Sequence, residues 1–304
     1  MAFQAARLDG TSWRGGCTPV LTGGREAGEK RKDSWEKQCI LNMMFRHVSH
    51  VFLFLFSGLC GAVVNAQDQI IPRPVSVRVE AKGAAAPVKL DEGMRIVCKE
   101  KDGEFRRQAH LLQQFLSRGT GLALDGAGGT GIIRVVKDAA LKQYGPEAYR
   151  LEAAPGNIVI SAATPKGVYY AGQSLAQMLP AAFFNNGVDK KSVSWNVAVK
   201  PFSILDYPRF AWRAFMLDEA RHFFGEEEVK RLIDQMGLLK MNVLHWHLSD
   251  DAGWRIQIKK YPKLTSVGGK RRDTEIETWG SGKYEGRPHE GFYTQEQVRR
   301  IVRY

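Results

Sequence analysis

The stretch from Ala211 to Arg255, AWRAFMLDEARHFFGEEEVKRLIDQMGLLKMNVLHWHLSDDAGWR, constrains the fold more than any other. It reads as strand, helix, strand. Ala214 to Leu217 is a short apolar run that ends in Asp218, Glu219, Arg221 and His222. Three glutamates, Glu226 to Glu228, then crowd the first turn of a helix, where carboxylates meet the positive end of the macrodipole. Val229, Leu232, Ile233, Met236 and Leu239 recur at three- and four-residue steps, one apolar face packed on a sheet. Val243 to Leu248 is the second strand, and Ser249, Asp250 and Asp251 follow its C-terminal end. Two parallel strands joined by a helix place their polar ends together, at the edge where ligands bind in α/β arrays. The chemistry is therefore expected to gather at Arg221 and Asp250.

The rest of the chain divides by texture. Residues 51–64, VFLFLFSGLCGAVV, follow Arg46 and His47 and end near the small residues Val64-Asn65-Ala66. A membrane span needs about 20 residues, so this run reads as a secretory signal over 43–66 with cleavage after Ala66. Counted from Met1 the signal is too long, and residues 1–42 are expected to be a start-site artefact. The protein is then exported, and no stable membrane span remains after cleavage. Of the four cysteines only Cys98 survives that cleavage, in an apolar strand; no internal disulfide follows and no CxxC pair suggests zinc.

Residues 67–200 hold short β-like runs separated by Gly, Pro and Ala turns: 75–79, 94–97, 132–136, 149–152 and 158–161. Two helices interrupt them. Phe105–Ser117 carries Phe105, Ala109, Leu112 and Leu116 on one face; Pro165–Leu179 carries Val168, Ala171, Leu175 and Leu179. This predicts a small α+β domain, a sheet covered on one face by two helices. Gly126 to Gly131 precedes a strand instead of opening a helix, so it is a turn and not a phosphate loop. Trp195 to Phe210 is read as the connector into the second domain, 201–304. There a long loop, Gly253 to Phe292, leads to a capping box at Thr294-Gln295-Glu296-Gln297 and a helix with Val298, Ile301 and Val302 inward. Two strand–helix units cannot close a barrel, which needs eight and about 250 residues; the sequence reads as truncated.

The net charge of +12 could suggest nucleic acid. From Gly253 onward 12 Lys/Arg face 6 Asp/Glu, but they alternate with acids and turn residues, and no basic helix with interleaved aromatics is present. A solvated face is the reading, and no nucleic-acid partner is expected.

Each candidate residue has a plain alternative role. Arg221 offers a planar fork of donors suited to a carboxylate, a phosphate or adjacent sugar hydroxyls, or it forms a salt bridge with Asp218 or Glu219. Of Asp250 and Asp251 at most one faces the pocket, since strand neighbours alternate; alternation does not choose between them. His245 and His247 share one face of a strand, a spacing used by barrel metallohydrolases to hold zinc, or they are hydrogen-bonded core histidines.

Taken together, MLDEARHFF, a helix of about fifteen residues and NVLHWHLSDDAGWR resemble the β-N-acetylhexosaminidases of glycoside hydrolase family 20. PRPVSV and PKGVYYAGQSLAQML in the preceding domain strengthen the resemblance, which covers residues 69 to 304. It implies a small α+β N-terminal domain followed by the beginning, about two βα units, of a (β/α)8 TIM barrel. It also implies a retaining exo-hydrolase of glycans ending in N-acetylglucosamine or N-acetylgalactosamine. In such enzymes the substrate's own 2-acetamido oxygen attacks the anomeric carbon. By the same resemblance Arg221 holds sugar hydroxyls and Asp250 supports the site, with Asp218, His245 and His247 in structural support. No metal or cofactor is implied. The family's catalytic Asp-Glu pair belongs after a fourth strand, and no catalytic residue is assigned in this chain; Glu275, Glu277 and Glu285 lie in a loop without that context. The rivals are a non-catalytic carbohydrate-binding protein and a metallohydrolase using His245 and His247.

Overall fold

Alternation of buried and open side chains builds the first layer. The computed structural model describes residues 69–80, 86–126, 131–278 and 280–304. The expected start-site segment, the signal at 43–66 and most of the glycine-rich turn lie outside these residues. In chain order the small domain contains β1 (Ser76–Val79), β2 (Val88–Leu90), β3 (Arg95–Cys98), α1 (Gly103–Thr120), β4 (Ile132–Lys137), β5 (Tyr149–Ala154), β6 (Asn157–Ala162), α2 (Pro165–Met178), β7 (Trp195–Ala198) and β8 (Phe202–Asp206). Six of the strands form one mixed sheet in the order β1-β8-β5-β6-β4-β3, with β2 and β7 paired separately. Tyr149, Leu151 and Ala153 of β5 and Ile158, Ile160 and Ala162 of β6 turn inward and are buried; their neighbours in sequence stay partly open. This two-residue period is what a half-solvated sheet requires.

The two helices cover the buried face. Asp102 caps α1 by accepting from the Glu104 and Phe105 amides at 3.0 and 3.4 Å, and Gly121 ends it in a left-handed conformation (φ 77°). Phe105, Ala109, Leu112 and Leu116 are all buried, as the spacing predicts, and so are Val168, Ala171, Leu175 and Leu179. Cys98 is half-buried at the sheet edge, against the core and not within it.

The segment read as a connector is a correction. Phe202–Asp206 is β8, antiparallel to both β1 and β5, and lies second in the sheet. Phe202 and Ile204 are buried. The sheet therefore runs past the expected boundary at residue 200. Pro201 and Pro208 flank the strand and leave its ladder intact, so they punctuate it without breaking it.

Beyond it, β9 (Ala214–Asp218), α3 (Glu226–Leu238) and β10 (Val243–His247) form the expected parallel unit, with Ala214 opposite Val243 and Asp218 opposite His247. The loop from Gly253 is more ordered than its composition suggests. It opens with β12 (Gly253–Trp254), which pairs back with the preceding β11 (Ser249–Asp250), and contains a single-turn α4 (Lys263–Ser266) and β13 (Lys270–Arg271) paired with β14 (His289–Glu290). Then α5 (Gln295–Arg303) opens on Thr294, whose hydroxyl accepts from the Gln297 amide at 3.2 Å while the Gln297 side chain accepts from the Thr294 amide at 2.8 Å.

Arg255 holds this loop. Its side chain is fully buried and donates to the carbonyls of Glu219 (3.0 Å), Ala220 (3.1 Å), Gly269 (2.8 Å) and Gly291 (3.0 Å). A Cβ on Gly253 would lie 2.5 Å from that guanidinium, so the close approach requires glycine. Each buried acceptor left unpaired costs about 1–3 kcal/mol. Arg255→Met is expected to lower unfolding free energy by at least about 3 kcal/mol, read by urea denaturation, and to raise protease sensitivity between residues 253 and 292.

Candidate active site

The polar ends of β9 and β10 meet as one cluster. Asp218 closes β9, and its Oδ1 accepts from the Arg221 amide at 3.1 Å, folding the chain back so that the Arg221 side chain returns over the strand ends. The guanidinium is 3.5 Å from the Asp218 carboxylate and forms a short ion pair with Asp250. Asp250 also takes the His247 imidazole through Nε2 at 2.9 Å and the Asp251 amide at 2.8 Å. These bonds hold its carboxyl well below the usual carboxylate range, the Asp251 N–H contributing most, then His247 and Arg221. Asp250 is a fixed anion, suited to bracing partners and not to shuttling protons. The Arg221 guanidinium also approaches His247 Nε2, at 3.3 Å. Arginine only donates, so one nitrogen cannot serve both neighbours; the carboxylate is the stronger partner, which assigns the proton to Nε2.

Alternation had left open which aspartate enters the site, and the hairpin β11–β12 decides it. Asp250 turns into the cluster, whereas the Asp251 side chain is 86% exposed and reaches Arg221 only at 3.7 Å. His245 stands edge-on to His247 with ring centroids 5.6 Å apart. Among the described residues no group of three or more His, Cys, Asp or Glu side chains could hold a metal ion.

One contributor, Arg271, has no signal in the sequence, and Glu219 does not pair with Arg221 but turns inward. Arg271 donates to the Arg221 carbonyl at 2.7 Å and to the Ala252 carbonyl at 2.9 Å, tying the arginine turn to the hairpin. Glu219 is fully buried, accepting from Tyr293 Oη at 2.5 Å and from the Phe224 amide at 2.8 Å. Burial pushes its carboxyl up, the mark of a general acid, yet it is sealed from any substrate. Glu275, Glu277 and Glu285 are bound locally, to the Gly282 amide, Lys283 and Arg287. A partner 66 or more residues away in sequence, such as Tyr293 for Glu219 or His289 for Phe223, leaves no periodicity to read.

With this geometry in place, comparison with known proteins is decisive. Residues 67–207 match the profile of glycosyl hydrolase family 20, domain 2, and residues 210–304 match that of the glycosyl hydrolase family 20 catalytic domain. The chain belongs to glycoside hydrolase family 20. A β-hexosaminidase of Porphyromonas gingivalis is 40% identical over 158 residues, 52% of this chain and 18% of that protein. One from Vibrio furnissii is 49% identical over 110 residues, 36% of this chain and again 18% of the relative. The chain thus spans about a fifth of the length of these relatives. The solved family 20 β-N-acetylhexosaminidase of Streptomyces coelicolor superposes with a TM-score of 0.62 at 36% identity, covering 78% of this chain and 44% of that one. The family 20 assignment accounts for the two-part architecture: the profile boundary falls just after β8, between Asp206 and the start of β9.

The family 20 loop also carries a pH-sensitive contact. His289 Nε2 accepts from the Phe223 amide at 2.8 Å and its ring stacks on His222 at 4.4 Å. Burial, then His222, Arg255 and Arg271, pull its pKa down from 6.5 to about 4, against an opposing pull from Glu285. With the folded value below the unfolded one, the unfolded chain binds the extra proton first. The stability contribution is present above about pH 6.5 and is lost as pH falls through about 4. His289→Gln, which keeps an acceptor for Phe223, is expected to flatten that acid limb in denaturation midpoints measured from pH 7 to 4.

Proposed function

We propose that this chain supplies the hydroxyl-binding half of a β-N-acetylhexosaminidase site, acting on glycans that end in N-acetylglucosamine or N-acetylgalactosamine. The observation that carries the reading is the state of Arg221. Asp250 and Asp218 orient its guanidinium, with His247 holding Asp250 in place, yet the side chain remains 51% exposed at the strand ends. An ion pair made only for stability gains little at such exposure. An oriented planar fork left open to solvent is suited to a vicinal pair of sugar hydroxyls. Asp250 and His247 fix its angle, Asp218 fixes its turn, and His245 supports His247. Among related proteins, the family 20 exo-β-N-acetylglucosaminidase of Vibrio harveyi has been solved in complex with N-acetylglucosamine; it is 31% identical, with a TM-score of 0.61, over 78% of this chain and 34% of that one.

The reaction of this reading is hydrolysis with retention. The acetamido carbonyl oxygen bonds to the anomeric carbon as the bond to the leaving oxygen breaks, and a general acid gives that oxygen its proton. Water then attacks the same carbon, returns the acetamido group, and passes its proton back to the residue, now a base. The acid and the aspartate orienting the acetamido group are assigned to an Asp-Glu pair after a fourth strand, and neither role is assigned to a residue of this chain. Export through the signal at 43–66 completes the proposal.

N-acetylglucosamine titrated into the 304-residue protein, followed by NMR, is expected to perturb Arg221 and Asp250. Arg221→Lys, which keeps the charge and loses the fork, should weaken that binding about tenfold or more. Binding unaffected by Arg221→Lys would remove the assignment. No turnover of an aryl N-acetylglucosaminide by the same protein is expected, since a general acid is typically worth about 10²–10⁴ in rate; measurable hydrolysis would overturn that part of the proposal.

A further inference from the structure

The two strands that carry the cluster both begin at one carboxylate of the small domain. Glu147, in the turn before β5, is 9% exposed. Its Oε2 takes the Arg213 guanidinium at 2.6 Å and its Oε1 takes the Asn242 amide group at 3.2 Å. Arg213 immediately precedes β9 and Asn242 immediately precedes β10. The same two residues also bond to each other: the Arg213 amide donates to Asn242 Oδ1 at 3.0 Å, and the Asn242 amide donates to the Arg213 carbonyl at 2.9 Å. Arg213 further reaches the Lys240 carbonyl at 2.6 Å and the Tyr170 hydroxyl at 3.2 Å.

Lys240 adds a second anchor beside the first. It occupies the turn between α3 and β10 with φ 58°, a left-handed conformation that glycine or asparagine usually takes. Its side chain explains why a lysine is there. The ammonium enters the small domain and meets Asp206 at 2.7 Å and the Tyr149 hydroxyl at 3.0 Å, while Tyr149 is bonded in turn to Asp206 (2.9 Å) and Ser174 (2.6 Å). Lys240 and Asp206 are both buried, and Tyr149 lies opposite Asp206 in the sheet. The start of β10 is therefore bolted to the rigid β5–β8 ladder.

We infer that Glu147 is a positioning residue, whose two carboxylate oxygens set the register of β9 against β10 and thereby assemble the Arg221–His247–Asp250 cluster. A parallel pair is held by evenly spaced slanted bonds that specify register weakly by themselves, and a slip of one residue sends every side chain to the other face. Here such a slip would carry His247 and Asp250 away from Arg221. The cluster lies about 15 Å of strand from Glu147, so the carboxylate touches neither sugar nor cluster and acts through the strands. The inference rests on the sugar-site reading only for its purpose; its geometry does not depend on it.

The test uses the 304-residue protein carrying Glu147→Ala, Glu147→Gln or Lys240→Met. Two readouts are independent of any ligand: the ¹⁵N shifts of the His247 ring, which report its tautomer, and amide hydrogen exchange along β10. Glu147→Ala should convert His247 from the Nε2-protonated tautomer to a mixture. It should also speed exchange at Leu244 to His247 about tenfold, with Leu151 and Ile160 unchanged. Glu147→Gln, whose amide oxygen still accepts from Asn242, should fall between wild type and alanine, and it decides the matter if the alanine variant does not fold. Lys240→Met should speed the same β10 amides. A wild-type His247 tautomer and unchanged β10 exchange in the folded Glu147 variants would overturn the inference, even with a lowered melting temperature. Failure of N-acetylglucosamine to bind wild type would instead remove the sugar-site reading and leave these readouts to decide the positioning role.

Discussion

The second half of the chain depends on a single buried guanidinium meeting backbone carbonyls. Arg255 draws together the turn after β9, the end of α4 and the strand before α5, segments that share no apolar core of comparable size. A buried charge is costly unless fully bonded, and here the cost is met by oriented carbonyl dipoles, with the Glu219 carboxylate as an opposing charge. Remove that focus and the loop has little to fold around: the small cluster of Val229, Tyr293 and Ile301 is its only buried apolar seed among the described residues.

The Arg221–His247–Asp250 cluster inherits its precision from this arrangement and from the small domain together. Arg221 lies between two clamps, the Asp218 carboxylate on its amide and Arg271 on its carbonyl, so its backbone is set before its side chain is. The side chain then meets Asp250, itself held by His247 and the Asp251 amide. Orientation passes from backbone to carboxylate to guanidinium, with no step left to a freely rotating group. An oriented donor loses less entropy on meeting a ligand than a mobile one.

Much of this was legible in the sequence, for identifiable reasons. Periodicity marked α1 and α2 because their buried faces repeat every three or four residues, and the Thr294 capping box announced α5 through a local pair of bonds, but Leu239 and Val302, read as inward, are exposed. Arg221, Asp218 and Asp250 were legible because strand ends collect polar residues. The strand β8 was missed because Pro201 and Pro208 at its flanks read as a linker, although the ladder it completes lies wholly between them. The choice of Asp250 over Asp251 was closed to alternation because the hairpin β11–β12 breaks the strand phase at that point. Arg255, Arg271 and His289 were invisible for a different reason: they act on backbone groups, and a carbonyl or an amide leaves no trace in the letters.

That last property has a consequence for how the loop can change over time. Every residue offers a carbonyl, so the positions that receive Arg255 are chemically interchangeable as far as the bond is concerned. Substitution there is limited by space, as at Gly253, and not by the identity of a partner. A loop anchored by side-chain pairs would need matched changes at two sites to drift. This one needs chiefly to preserve two arginines, Arg255 and Arg271, which both bond to carbonyls, and that leaves the exposed positions around them freer to diversify while the frame beneath stays fixed.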